Sequence, residues 1–454
     1  MSELKHDLPD GMIEWVAQVA GGEVVHLHRH VSRREAWVVD VERTDGSRLE
    51  GFLRLQREVD SVDPRRLERE TRIYQALGRA GLPVPEVFGW NPELKAALLA
   101  RDPGRSDIDK LEDPAQQRAI MLDFMRVVAR LNTLDLDELG LDDVMQYKPT
   151  TPRECALNEV DLIVSQWRSF LDGRTDPLTT YGLDWLRRFA PDEVARISLV
   201  QGDTGPVNFM FQGERVSSMV DWELGHYGDP LEDLGNIVVR EFWNPCGGLK
   251  GMFELYERES GIPYDRFRAQ YYTVHQNVRG MIPIHYICEN AHPLESLAWY
   301  LCYRYVGDRS TVEMLAQAMD VAIERPEMPE DSGDPDVLAE AAVYAQEHDV
   351  APRLEDGFGA QRAKDVQILI ACMDRRRRYG ETLAAAELDD LGELLGRRPA
   401  SLAEGLAEFD AAIREQRLDD AAVICTLARK AYRDEWLHAP AVTLYPDRRQ
   451  AELD

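Results

Sequence analysis

The spacing of hydrophobic and polar positions divides this chain into a part that predicts strands and a part that predicts helices. Two short apolar runs, residues 36–41 and 51–55, are typical of β-strands, and the polar segment 44–47 between them carries a hairpin-turn signal. From residue 113 onward, apolar side chains recur every three or four positions, which indicates one face of a helix. A small sheet followed by a mainly helical region is therefore expected.

Helices are predicted over most of the later chain. Residues 155–171 predict an amphipathic helix, and residues 264–323 predict further helix that carries a cluster of aromatic side chains. Beyond residue 336 two apolar stripes predict more helices, with breaks at Gly380 and Pro399. Residues 324–336 are rich in proline and acidic side chains, so we expect an exposed linker there.

One short segment interrupts the helical pattern and carries the strongest chemical signal. Residues 197–200 and 207–211 predict strands, and after a turn a third predicted strand ends on Asp221. Asp203, Asn208 and Asp221 would then lie at strand ends and could face one cleft. The alternative is an ordinary hairpin whose Asp and Asn side chains form local turn hydrogen bonds.

Phosphoryl transfer needs this set of side chains. A carboxylate orients the acceptor hydroxyl, which suits Asp203, and oxygen ligands hold Mg²⁺ against the phosphates, which suits Asn208 and Asp221. The D-x-x-x-x-N spacing matches the catalytic loop of protein kinases. Downstream, Asp229 and Pro230 predict the start of a helix, as a cap and a first helical residue.

The segment from Gln201 to Asp233 resembles the aminoglycoside phosphotransferase family of small-molecule kinases. That family carries H-G-D-x-x-x-x-N, then D-W-E, then G-D-P-x-x-D-L, and here Gln201 stands in place of the histidine. The chain is most similar to the bacterial branch related to the kinase domains attached to acyl-CoA dehydrogenases, over roughly residues 15–320. The resemblance implies an α+β, bilobal protein-kinase-like fold with ATP or GTP and Mg²⁺ in the cleft. Because a Gln amide donates and accepts hydrogen bonds as His does, Gln201 is expected to support the loop.

The resemblance also implies a nucleotide side of the site. Arg54 would grip the α- and β-phosphates in place of the kinase strand lysine, with Glu70 on the following helix as its partner. The alternatives are a solvated strand arginine and a solvated helix glutamate. Ser32 lies where relatives carry a glycine pair in the phosphate-covering loop, and it offers a hydroxyl and a backbone N–H. Ala100 and Asp102 are candidates, by position, for the hinge that holds the base.

Composition and charge narrow the partners. The chain has 454 residues and a formal net charge of -29, which argues against nucleic acid and anionic membranes because phosphate binding requires clustered Lys and Arg. Its six cysteines are scattered without C-x-x-C spacing, which suggests neither a zinc site nor a disulfide framework. The amino terminus lacks an apolar secretion segment, and no run of about eighteen apolar residues occurs. We therefore expect a cytoplasmic protein without a membrane partner.

The length favours about three units. We predict a nucleotide-binding small lobe at residues 1–103, a catalytic large lobe with the acceptor site at 104–324, a linker at 325–336 and a helical accessory domain at 337–454. Within the last, the arginine run 375–378 is expected at a solvated helix end. The accessory domain resembles small helical domains encoded beside such phosphotransferases, and homo-oligomerisation, docking or a lid over the acceptor site would each explain it.

The predicted function is ATP- or GTP-dependent, Mg²⁺-dependent phosphorylation of a hydroxyl group on a small molecule. A competing hypothesis is a nucleotide-binding pseudokinase that acts through a protein partner of its helical tail. A third class is a metal hydrolase built on His26, His28 and His30, which alternate and would share one face of a strand. A polar strand edge is the simpler interpretation of these histidines.

Overall fold

The structure is a computed structural model. It describes residues 8–30, 36–56, 63–290, 296–331, 336–354, 357–442, 448–450 and 453. Ser32, the predicted phosphate-loop residue, lies outside the described residues. The contacts between residues divide the chain into two compact units. Unit 1 comprises Met1–Asn158 and Pro191–Ala269, and unit 2 comprises Glu159–Ala190 and Gln270–Asp454. The sequence predicted a small lobe, a large lobe, a linker and a helical accessory domain. That division into four parts remains a proposal.

Unit 1 begins with a helix and a sheet that, in the described residues, has five strands in the order β1-β2-β3-β5-β4. Neighbouring strands are antiparallel. The elements are α1 (Met12–Ala20), β1 (Gly22–Arg29), β2 (Ala36–Arg43), β3 (Arg48–Leu55), α2 (Arg66–Arg79), β4 (Val87–Asn91) and β5 (Ala96–Ala100). The two strand-like runs of the sequence are therefore β2 and β3, as predicted.

The alternation of side chains along β2 and β3 separates a core face from a cavity face. Trp37 pairs with Leu53, and both are fully buried in a core that includes Met12 of α1. One position along, Ala36 pairs with Arg54 on the opposite face of the sheet. The strand period therefore aims Arg54 away from the core.

The rest of unit 1 supplies the hairpin predicted around the Asp and Asn motif. Its elements are α3 (Pro114–Asn132), α4 (Leu136–Leu139), the start of α5 (Pro152–Gln166), β6 (Ser198–Val200), β7 (Phe209–Gln212), β8 (Arg215–Met219), β9 (His226–Gly228), α8 (Leu231–Trp243), α9 (Met252–Ser260) and the start of α10 (Arg266–Glu289). β7 pairs with β8, and β6 pairs with β9. Phe209 stacks on Phe124 of α3 with ring centroids 4.3 Å apart, which fixes the hairpin against the helix.

All the regular secondary structure of unit 2 in the described residues is helical. Besides the later parts of α5 and α10, its helices are α6 (Arg168–Leu171), α7 (Pro177–Arg188), α11 (Leu297–Ala318), α12 (Val337–Ala345), α13 (Gly357–Leu395), α14 (Leu402–Arg414), α15 (Asp420–Leu437) and α16 (Ala439–Val442). The tail helix α15 packs on α11, and α14 packs on α7. Of the predicted linker at 325–336, residues 325–331 form neither helix nor strand, and its role as a linker stays a prediction.

Two sequence expectations about the tail are wrong. Gly380 does not break a helix, because α13 continues through it to Leu395. The arginine run 375–378 therefore lies inside a helix and not at its end. Arg375 is buried and its Nη1 lies 2.6 Å from Asp331 Oδ2, so it is an ion-paired core residue and not a solvated one.

Candidate active site

The loop between β6 and β7 holds Asp203 and Asn208 against each other. The Asn208 side-chain amide Nδ2 donates to the Asp203 backbone oxygen at 2.7 Å and to its carboxylate Oδ2 at 2.9 Å. The loop turns sharply at Gly202, where φ is +78° and an added Cβ would lie 2.4 Å from the Leu224 carbonyl oxygen. The nitrogen end of the Asn208 amide is therefore fixed toward Asp203, which leaves its oxygen end as the possible metal ligand.

Arg240 on α8 contacts both carboxylate oxygens of Asp203. Its Nε donates to Oδ1 at 2.8 Å, and its Nη2 donates to Oδ2. Gly205 permits this approach, because an added Cβ would lie 2.6 Å from the Arg240 Cβ. A two-pronged ion pair fixes the orientation of the carboxylate as well as its charge. The sequence analysis missed Arg240; its one signal was its position two helical turns after Asp233.

The buried carboxylate of Asp233 holds the loop between β6 and β7 in place by hydrogen bonds. Asp233 accepts hydrogen bonds from the Gln201 backbone N–H at 3.0 Å, from the Thr204 hydroxyl, and from Asn132 Nδ2 at 2.8 Å. Burial raises the pKa of Asp233 to about 6, and these three donors oppose that rise. Gln201 in turn donates through Nε2 to the Val220 carbonyl oxygen. The glutamine thus supports the loop by hydrogen bonding, as expected.

Asn208 and Asp221 are neighbours because the β7–β8 ladder continues past the strand ends. The Val220 N–H donates to the Asn208 carbonyl oxygen at 3.0 Å. Asp221 follows immediately with a left-handed φ of 67°, and its N–H donates to the Tyr74 hydroxyl at 3.0 Å. Asn208 and Asp221 thus lie on the two facing chains at the end of the hairpin, and amide and carboxylate oxygens are the donor types that Mg²⁺ prefers.

Arg54 and Glu70 form a buried ion pair, as the resemblance implied. Arg54 Nη1 contacts Glu70 Oε1, and the Glu70 side chain is only 1% exposed. Arg54 and Asp221 line one cavity of about 710 Å³ within unit 1. Its remaining walls come from the sheet, α2 and the hairpin: His30, Ala36, Val38, Phe52, Tyr74, Pro85, Leu99, Ala100, Arg101, Asp102, Ser106, Met210 and Val220. The cavity is mostly apolar with a charged end, which suits a nucleotide.

The hinge candidates Ala100 and Asp102 both line this cavity, but their polar groups already have partners. The Ala100 N–H donates to the Glu86 carbonyl oxygen at 2.8 Å. The Asp102 carboxylate accepts from the Gly104 N–H at 2.6 Å and from the hydroxyls of Ser217 and Ser218 at 2.9 and 2.5 Å. The Asp102 side chain thus ties the hinge to β8.

The histidines of β1 do not form one cluster. His26 Nε2 and His28 Nδ1 lie 2.7 Å apart, and both rings are exposed. His30 instead packs edge-on against Phe52 with ring centroids 5.4 Å apart. The register shift of β1 lies between Val24 and His26, ahead of the histidines, and His26 and His28 then pair regularly with Asp40 and Val38, so they share one face of the strand as predicted. Across the described part of the chain, no group of three or more His, Cys, Asp or Glu is placed to hold a metal ion.

Glu223, downstream of the hairpin, anchors α2 through its backbone. Its carbonyl oxygen accepts from Arg69 Nη2 at 3.1 Å, and the same nitrogen lies 2.6 Å from Asp63 Oδ2.

None of the described helices is both long and apolar enough to cross a membrane.

Comparisons with known proteins identify a family and several relatives. Residues 32–272, more than half of the chain, match the sequence profile of the phosphotransferase enzyme family. Acyl-CoA dehydrogenase family member 11 of Rattus norvegicus is 29% identical over 215 residues, which cover 44% of this chain and 26% of that protein. Hygromycin-B 4-O-kinase of Escherichia coli is 26% identical over 184 residues, which cover 39% of this chain and 52% of the kinase. The chain thus spans about a quarter and about half of these relatives.

A solved structure shows the same fold. A Ralstonia eutropha protein assigned as an aminoglycoside phosphotransferase matches with a TM-score of 0.52 at 20% identity, over 67% of this chain and 95% of that chain. With the sheet of unit 1 and the helical carboxy-terminal region, this likeness confirms the predicted α+β, protein-kinase-like fold.

Proposed function

This chain belongs to the phosphotransferase enzyme family, and on that premise we propose that it transfers the γ-phosphoryl group of ATP or GTP to a hydroxyl group of a small molecule. One arrangement carries the proposal. Arg54 and Asp221 line the same cavity, while Asn208 stands beside Asp221 and is hydrogen-bonded to Asp203. The proposal assigns these residues as a phosphate grip, two metal-ligand candidates and an orienting carboxylate of one site. Phosphoryl transfer consists mainly of positioning and charge stabilisation by such groups.

Asp203 is the residue that would receive the acceptor hydroxyl. Its carboxylate is held by Arg240 on one side and Asn208 on the other. A fixed carboxylate can accept a hydrogen bond from the attacking hydroxyl and take its proton as the new bond forms. Arg240 and Asn208 then act as positioning residues for Asp203.

Asn208 and Asp221 would hold Mg²⁺. The donor set fits, because one carboxylate and one amide oxygen leave room for phosphate oxygens and waters in an octahedral shell. When bound, the ion neutralises charge on the β- and γ-phosphates. Arg54 would bind the α- and β-phosphates while Glu70 holds its guanidinium in place.

The base would lie against the apolar wall of the cavity, and the hinge would set its plane. Val38, Leu99 and Met210 supply apolar walls for it. The acceptor is a hydroxylated small molecule; the name of the related hygromycin-B kinase gives one such compound.

The direct test is Mg²⁺-dependent turnover of ATP and of GTP with a panel of hydroxylated acceptors. Asp203→Asn is expected to lower kcat by about 10²–10⁴-fold. Asp192→Asn is the matched control, because Asp192 is an exposed carboxylate of unit 1, and it should leave kcat unchanged. Nucleotide binding without transfer to any acceptor would contradict the proposal and favour the pseudokinase alternative.

A further inference from the structure

A buried tyrosine stands between the nucleotide side and the metal side of the candidate site. Tyr74 follows Glu70 by four residues on α2, so the two side chains lie on one face of the helix. Its side chain is almost fully buried, at 3% exposure, and it lines the same cavity as Arg54 and Asp221. The proposed function gives this residue no role.

The Tyr74 hydroxyl joins the two sides by hydrogen bonds. It accepts from the Asp221 backbone N–H at 3.0 Å and donates toward Glu70 Oε1 at 3.4 Å. A phenol can serve one donor and one acceptor partner at once.

The hydrogen-bond acceptor that Tyr74 supplies matters because of the backbone conformation of Asp221. Its φ of 67° lies in the left-handed region. Residues other than glycine adopt this backbone conformation at an energetic cost, so their surroundings must hold them there. The hydrogen bond from the Asp221 N–H to Tyr74 fixes the peptide plane that precedes the Asp221 side chain. The direction of the carboxylate therefore depends on a hydroxyl carried by α2.

We propose that Tyr74 is a positioning residue that couples the Arg54–Glu70 pair to Asp221 and thereby sets the affinity of the metal site. The inference rests on the proposed function, since it assumes that Asp221 is a metal ligand. Tyr74 contacts neither phosphate nor metal in this scheme. It transmits the position of α2, through Glu70 and its own hydroxyl, to the backbone of Asp221.

The test is Tyr74→Phe, which removes one oxygen and keeps the ring. Mn²⁺ with ATP is the probe, and bound Mn²⁺ is followed by electron paramagnetic resonance. The variant is expected to bind Mn²⁺ about tenfold more weakly, because the partly buried Asp221 N–H loses its acceptor. Binding of a fluorescent ATP analogue in EDTA should stay within about twofold of wild type, since the ring and the Arg54–Glu70 pair remain.

Tyr227→Phe is the matched control, because Tyr227 is a buried tyrosine of unit 1 whose hydroxyl donates to Asp142 at 3.2 Å. It should leave Mn²⁺ affinity unchanged whatever it does to stability. Unchanged Mn²⁺ affinity in Tyr74→Phe, or an equal loss in Tyr227→Phe, would overturn the inference. Failure of the wild-type protein to bind Mn²⁺–ATP at all would instead contradict the proposed function.

A double-mutant cycle with Glu70→Gln tests the route of coupling, provided that circular dichroism shows all three variants to be folded. If Tyr74 acts together with Glu70, the affinity losses of Tyr74→Phe and Glu70→Gln will not add in the double variant. Fully additive losses would mean that the hydroxyl acts independently of Glu70, which would overturn the coupling.

Discussion

Two buried ionic clusters of this molecule are alike in composition and differ in their surroundings. In unit 1, the Arg54–Glu70 pair lines a cavity of about 710 Å³ together with Asp221. In unit 2, His285 lies between Asp176 and Asp308, with N–O distances of 2.9 and 2.7 Å. These three residues tie the start of α7 to α10 and α11. Burial and charge pairing alone therefore do not identify a functional site; the pair in unit 1 differs from the His285 cluster in sharing a cavity with Asp221.

A second ionic cluster in unit 2 gives the largest expected effect. Arg309 is 1% exposed and its guanidinium lies 2.9 Å from Glu313 and 2.7 Å from Glu435. Arg309→Met should lower the free energy of unfolding by about 3–5 kcal/mol, because two buried carboxylates lose their cation. Urea denaturation measures this loss. Arg398→Met, which removes an exposed ion pair with Asp389, should cost at most about 1 kcal/mol.

The same variant tests the comparison itself. If the ionic clusters of unit 2 serve stability alone, folded Arg309→Met protein will bind Mn²⁺–ATP and turn over as wild type does. A drop in kcat at a temperature where the variant is fully folded would show that charged residues of unit 2 contribute to the phosphoryl-transfer step.

The His285 cluster predicts how stability depends on pH. Although burial disfavours the charged ring, Asp308 and Asp176 raise the pKa of His285 to about 9, and Arg174 also lies against the ring. A folded pKa above the unfolded value of about 6.5 means that the contribution is fully present below pH 6.5 and is lost as pH rises through 9. The loss should be on the order of 3 kcal/mol.

Thermal unfolding between pH 6 and pH 9.5 measures this contribution. His285→Gln should be less stable than wild type at pH 6, and its stability should fall less steeply between pH 6.5 and pH 9. If the stability of the two proteins changes with pH in parallel, then protonation of His285 contributes no net free energy to folding. Metal–nucleotide binding should be unaffected by the substitution when both proteins are folded.

Arg240 offers the corresponding test in unit 1. Arg240→Gln should lower kcat by about 10²-fold, because Asp203 would lose the two contacts that orient it. The Michaelis constant for nucleotide should change little. Arg215→Gln is the control, since Arg215 is an exposed arginine of unit 1 paired with Asp123. Equal kcat for Arg240→Gln and wild type would remove Arg240 from the site.

How far the sequence predicts this molecule depends on the range of the interactions. The strands around Asp203 and Asp221 follow from local period and turn residues, so they were predictable. Arg240 and Tyr74 were not, because their roles arise only when α8 and α2 pack against the hairpin. Gly380 misled for an energetic reason: a glycine costs a helix only about 1 kcal/mol, which the packing of the 39-residue α13 outweighs.

Asp102 shows the same limit at the hinge, and it gives the smallest expected effect. Position alone predicted a nucleotide contact, whereas its carboxylate accepts three hydrogen bonds that tie the hinge to Gly104, Ser217 and Ser218. Asp102→Asn keeps one oxygen acceptor and weakens that tie, so the Michaelis constant for nucleotide should rise about threefold with kcat unchanged, the equivalent of less than 1 kcal/mol. A tie acts on any nucleotide, so ATP and GTP should be affected equally. A larger change for one of them would mean that Asp102 contacts the base directly, since only a base contact distinguishes adenine from guanine.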